Sequence, residues 1–201
     1  MITNFKTGKM LLGAALFSMV LTVSSCKQEA KPEDTKEAAE EINDANNDAN
    51  VISDATEDDS KYLVAAAETD MAEIELSKLA LSKTSNAKVK ELANMMIDQH
   101  TKASEKLKPL ADSKQIALPG ALTEDGKEHY EDLNKKAGKE FDEAYADVMV
   151  KGHEDAISKI KDASENAKDA EIKQWAAEML PTLNTHLEHA KTLQDLIKKT
   201  K

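Results

Sequence analysis

Three histidines and one glutamate sit where they could act together. Residues Leu92 to Leu107 read LANMMIDQHTKASEKL, and Val89, Ala93, Met96, His100, Ala103, Leu107 and Leu110 recur at alternating steps of four and three, the rhythm of a buried helical stripe. An imidazole in such a stripe loses about 1–3 kcal/mol unless it finds a partner. His186 occupies the same kind of slot among Ile172, Ala176, Met179, Leu183, Ala190, Leu193 and Ile197. His153 lies at the edge of a third stripe, near Asp142 and Ile160, and Glu73, with Asp70 and Ser77, interrupts the apolar face of a fourth. Three imidazoles and a carboxylate suit zinc, copper or iron by ligand type. In the competing reading each histidine is satisfied singly, by a carboxylate, Tyr145 or a backbone carbonyl, and serves packing only.

What is missing narrows the chemistry. Di-iron bundles place Glu-x-x-His on two helices, because residues three apart share a face. Here the residues three before His100, His153 and His186 are Ile97, Val150 and Leu183, which argues against a ferritin-type oxidase centre. Asp70, Asp142, Tyr145 and Met96 are candidates for a supporting layer. His189, three residues after His186, turns toward the flank of its stripe and is a second-site candidate, whereas His129 falls in a polar segment. Met96, Met149 and Met179 face inward; thioethers beside imidazoles favour Cu(I), but a flexible side chain also fills irregular core space.

The stripes imply the elements that must position these groups. The first long helix spans about residues 60 to 84. Asn86 caps the second, which runs to about 113, and the segment IALPG follows it. Thr123 opens a short polar helix to about 136, and Gly138 separates it from a third long helix over about 139 to 167. Asp169 caps the fourth, which contains Pro181. Short joints after the first and third long helices imply two antiparallel hairpins whose apolar faces can be buried only against each other. The expectation is an all-α four-helix bundle over residues 60–199, with a short extra helix between its second and third long helices. The 114–138 connection could turn at one end or cross the bundle. Counting residues from the turns puts all four chemical groups near mid-height.

Of the 201 residues, only 3% are aromatic, arginine is absent and the net charge is −11. Nucleic-acid binding rests on clustered cations, so that class of partner is excluded. Lys6 and Lys9 precede an apolar run, Met10 to Val23, that is shorter than a membrane span, and VSSC ends at the only cysteine, Cys26. This is the pattern of a lipoprotein signal over residues 1–25, with Cys26 lipidated. Residues 27–59 hold twelve acids against three lysines and few large apolar groups, which predicts an acidic, disordered tether with transient helix. No phosphate loop and no activated nucleophile is present, which weighs against an enzyme. Buried neutral imidazoles would also make the fold less stable as pH drops below the reference histidine value.

The segments DMAEIELSKLAL, VKELANMMIDQH, GKEFDEAYADVMVKGHE and AAEMLPTLNTHLEHAK, in this order, resemble the bacterial envelope family catalogued as domain of unknown function 4142. By that resemblance Glu73, His100, Phe141, Asp142, Tyr145, His153, Leu180, Pro181 and His186 fall on family motif positions, and the implied fold is a ferritin-like four-helix bundle. The expected protein is an outer-membrane-anchored envelope lipoprotein that faces the periplasm or the surface. Its bundle would bind a metal ion or a similar small ligand through Glu73, His100, His153 and His186. A structural or stress-related interaction protein is the first alternative, and a redox enzyme the second.

Overall fold

The computed structural model describes residues 34–48 and 57–199. The signal sequence, Cys26 and the remainder of the 26–59 stretch lie outside the described residues. Six helices are present among the described residues, with no strand: α1 (Thr35–Asp48), α2 (Glu57–Lys83), α3 (Ala87–Ser113), α4 (Glu124–Asn134), α5 (Gly138–Asn166) and α6 (Ala170–Lys199). The four long ones are those expected from the stripes, and α4 is the short extra helix.

Their ends are set by local chemistry. The Asn86 side chain accepts the Lys88 N–H at 2.9 Å and opens α3. Thr123 Oγ1 does the same for Gly126 at 3.2 Å, and Asp169 Oδ1 for Glu171 and Ile172 at 2.9 and 3.1 Å. At the end of α3, Gln115 adopts a left-handed φ of 56°. Ile116 N–H then donates to Ala111 O at 2.9 Å and Gln115 N–H to Asp112 O at 3.2 Å, the paired bonds of a Schellman stop. Pro181 does not interrupt α6, which runs through it. Asn184 Nδ2 and Thr185 Oγ1 donate to the carbonyls of Leu180 and Pro181 at 2.7 and 3.0 Å just beyond it.

Contacts at the two ends fix the helix directions. At one end, the Asp59 carboxylate accepts the N–H groups of Lys168 and Asp169 at 2.8 and 3.0 Å, and Lys114 Nζ reaches Asp169 Oδ2 at 2.7 Å. The start of α2, the end of α3 and the α5–α6 turn therefore meet there. At the other end Thr84 Oγ1 donates to Asp142 Oδ1 at 2.6 Å, joining the end of α2 to the start of α5. So α3 finishes at one end and α5 begins at the other, and the 114–137 connection must traverse the bundle, with α4 lying against α2 and α5. This settles the alternative that chain length had left open.

Part of the presumed tether is structured. Thr35–Asp48 is a helix packed on α2 and on the start of the crossover, so the expectation of disorder is corrected there. It is held less by apolar area than by backbone pairing. The side chain of buried Asn43 donates to Ala117 O at 3.1 Å and accepts Ala117 N–H at 2.7 Å. Thr35 Oγ1 donates to Ala121 O at 2.9 Å, and Lys36 pairs with Glu68 at 3.0 Å. A composition-based reading misses this helix because, among its described side chains, those fully buried are Ala39 and Asn43, neither of them large and apolar.

The bundle core is divided. One apolar cluster, around Leu76, Met96, Phe141, Tyr145, Met149 and Leu193, fills the end where α5 begins. Two others, around Leu63, Leu107 and Ile172 and around Ala156, Ile160 and Leu183, fill the opposite end. Between them lies a polar waist.

Candidate metal centre

Each long helix sends one polar side chain or more into this waist. His100 from α3, His153 from α5 and His186 from α6 are 2%, 1% and 3% exposed, so all three are removed from water. Their ring centroids form a near-equilateral triangle with sides of 5.5, 5.2 and 5.3 Å. One ring nitrogen from each can be chosen so that all three lie within 4.8 Å of one another. His153 Nε2 and His186 Nδ1 are already 3.3 Å apart. That is close to the edge of a tetrahedron with metal–nitrogen bonds of about 2.0–2.1 Å, roughly 3.3 Å.

The outward nitrogens are held in the manner typical of metal-ligating histidines. His100 Nδ1–H donates to Asp70 Oδ1 at 2.8 Å, and Ser104 Oγ donates to the other carboxylate oxygen at 3.1 Å. His153 Nδ1 lies 2.8 Å from Met149 O, and because a carbonyl can only accept, this nitrogen carries the hydrogen and leaves Nε2 with a lone pair facing the cluster. His100 Nε2 is buried without any protein partner. Leaving a buried polar atom unpaired costs about 1–3 kcal/mol, which a packing-only network has no reason to bear.

Burial decides the protonation pattern. Desolvation, reinforced by the charge of His100, pushes His153 down to about 4. The same causes, with His153 added, push His186 down to about 3. For His100, burial works in the same direction, but the Asp70 hydrogen bond and the nearby Glu73 outweigh it and the net shift is upward. His100 therefore differs from the other two in direction, because its acidic neighbours favour the charged form. Desolvation lifts the Glu73 carboxyl to about 7, against the pull of His100.

The structure gathers three of the four expected ligands. Glu73 is buried in the waist, but its Oε1 stands 3.4 Å from His153 Nδ1, on the side of the ring away from His186. It therefore flanks the cluster. It fits because α5 has Gly152 opposite: a Cβ there would fall 2.8 Å from Glu73 Oε1.

Among the supporting candidates, Asp70 is the His100 partner. Met96 is fully buried one turn before His100, within the apolar cluster. Asp142 is not at the site: it bonds Thr84, eleven residues and about 16 Å along α5 from His153. Tyr145 pairs with Ser77 at 2.9 Å rather than with a histidine. His189 is exposed, on a groove between α3 and α6. Ser104 and the Met149 carbonyl were missed by sequence reasoning. Ser104 carried a signal, since it follows His100 by four residues and shares its face; a main-chain carbonyl carries none.

The sequence profile of the family described as Domain of unknown function (DUF4142) matches residues 28–193. The chain belongs to this family. The DUF4142 match begins before α1 and reaches into α6, so it takes in the N-terminal helix as well as the bundle. No curated protein and no solved structure matches the chain.

Proposed function

We propose that this DUF4142 chain is a metal-binding protein whose bundle holds one transition-metal ion on His100, His153 and His186, and that the bundle is carried on the cell envelope by a lipid at Cys26. The observation behind the metal assignment is the unpartnered, fully buried His100 Nε2, converging with the lone pair of His153 Nε2. Imidazole-only ligation suits zinc and copper better than hard, oxygen-seeking ions, and iron remains within its range. Three protein ligands would leave the ion a fourth position. Asp70 would orient His100 and supply the nearest compensating charge, and Met149 O would orient His153. Binding is the function assigned, because the groups around the trio, Asp70, Ser104 and the Met149 carbonyl, hold imidazoles in place.

The test uses mature protein without a histidine tag, titrated with zinc and with copper and checked by elemental analysis. One equivalent binds to the wild type and none to His100→Ala+His186→Ala. Asp70→Asn weakens binding about 10–100-fold, the usual effect of losing a histidine's outer partner. A wild-type chain that binds no stoichiometric metal, or a double variant that binds as before, refutes the assignment. Labelling of Cys26 by a fatty-acid analogue in cells, absent in Cys26→Ser, tests the anchor.

A further inference from the structure

We infer that the seam between α2 and α5 is the route by which a divalent cation reaches the three imidazoles, and that Glu73 is the last oxygen ligand along it. This rests on the metal assignment above. The trio is buried within the bundle, so an ion can reach it only between helices, and a buried metal site requires such a path. At the α2–α5 seam a surface groove has small residues beside Glu73, Thr69 and Ala72 on one side and Gly152 and Ala156 on the other.

That groove ends on Glu73. The carboxylate is 4% exposed, its Oε2 has no protein partner, and it forms part of the groove wall while Oε1 lies 3.4 Å from His153 Nδ1. One residue thus borders both the outside path and the His153 ring at the flank of the cluster. Gly152 leaves the space it occupies, since any larger residue would meet Oε1. At the mouth, Asp125 of α4 and Asp155 of α5 are exposed, as are Lys151 and Lys159. A hydrated divalent ion exchanges its waters for carboxylate oxygen readily, and imidazole nitrogen then takes over as the better ligand for zinc or copper. The α3–α6 groove shows the contrast. Leu92, Leu193 and Leu196 line it together with Lys88, Glu91 and His189, and no residue that touches the three histidines is in its wall.

The experiment separates rate from affinity. Metal-free full-length protein is mixed with Co(II) in a stopped-flow instrument, and the visible absorption of the bound ion is followed for loading and, after chelator, for release. Glu73→Gln is expected to slow loading and release together, about tenfold, with the dissociation constant nearly unchanged. Gly152→Ala, which displaces the carboxylate, should act in the same direction. Asp125→Asn+Asp155→Asn should slow loading less and reduce its dependence on salt. Glu91→Gln, in the other groove, should change nothing. Unaltered rates in Glu73→Gln overturn the inference and leave the metal assignment standing. Loss of equilibrium binding in Glu73→Gln also overturns it, because Glu73 would then be a ligand of the bound ion. Should Glu73→Gln fail to fold by circular dichroism, the Asp125→Asn+Asp155→Asn rates decide, and unaltered loading there overturns the inference. Absence of Co(II) binding by the wild type removes the metal assignment itself.

Discussion

At the scale of single residues, the waist is a set of competing titrations. His153 and His186 have folded values of about 4 and 3, below the reference histidine value of about 6.5. Their neutral forms are what the fold accommodates, so the unfolded chain takes up protons that the folded chain refuses, and stability is lost as pH falls from about 6.5 toward those values. Glu73 and His100 are shifted upward, and the sign reverses: their contributions are complete at low pH and decline as pH rises through the folded values, about 7 for Glu73. In metal-free protein the melting temperature should therefore drop between pH 6.5 and 4, and the drop should be smaller in His153→Gln+His186→Gln. Glu73→Gln should gain on the wild type as pH rises from 5 to 7. Parallel melting curves for wild type and variants across both ranges would contradict the assignment of these groups.

At the scale of elements, α1 and the crossover support each other. Asn43 pairs with both backbone groups of Ala117, which closes off part of a connection that has no sheet partner and little helix of its own. Replacing Asn43 by Ala leaves a half-buried carbonyl and N–H without their side-chain partner, for a cost of about 1 kcal/mol. The bundle has its own core, so the loss should stay local. Hydrogen exchange of the 115–123 backbone and of α1 should accelerate in Asn43→Ala while the centres of α5 and α6 remain protected. Uniform acceleration would mean that α1 is part of the cooperative core. The caps at Asn86, Thr123 and Asp169 were readable in the sequence because each depends on a side chain and a backbone N–H two or three residues away. The Asn43–Ala117 pairing spans 74 residues and has no local signature.

At the scale of the whole molecule, the waist interrupts what would otherwise be one continuous apolar core, so a bound ion would connect three of the four long helices. A ligand that binds only the folded state, present at 100 times its dissociation constant, adds about 2.7 kcal/mol of stability. For a domain of this size that raises the melting temperature by about 5–11 °C. Calorimetry with saturating zinc or copper should show this rise for the wild type and not for His100→Ala+His186→Ala. A rise of equal size in both would place the metal elsewhere, for instance on surface carboxylates.

The sequence alone determined the helical class, the four long stripes, the caps at Asn86, Thr123 and Asp169 and the inward slots of His100 and His186, because helical periodicity and capping act over a few residues; His153 it placed only at the edge of its stripe. It also contained the level of the His100 partner: Asp70 lies 15 residues before Ser85 and His100 lies 15 after it, whereas Glu73 is three residues nearer the turn. Periodicity could not choose between Asp70 and Glu73, since residues three apart share a face. Tertiary structure decided that choice, sent the 114–137 connection across the bundle, moved Asp142 to the far end of the core and docked a polar helix that composition had assigned to a tether. Each of these depends on how separate helices are set in height and direction against one another, and that is fixed by packing and end-to-end hydrogen bonds between residues distant along the chain.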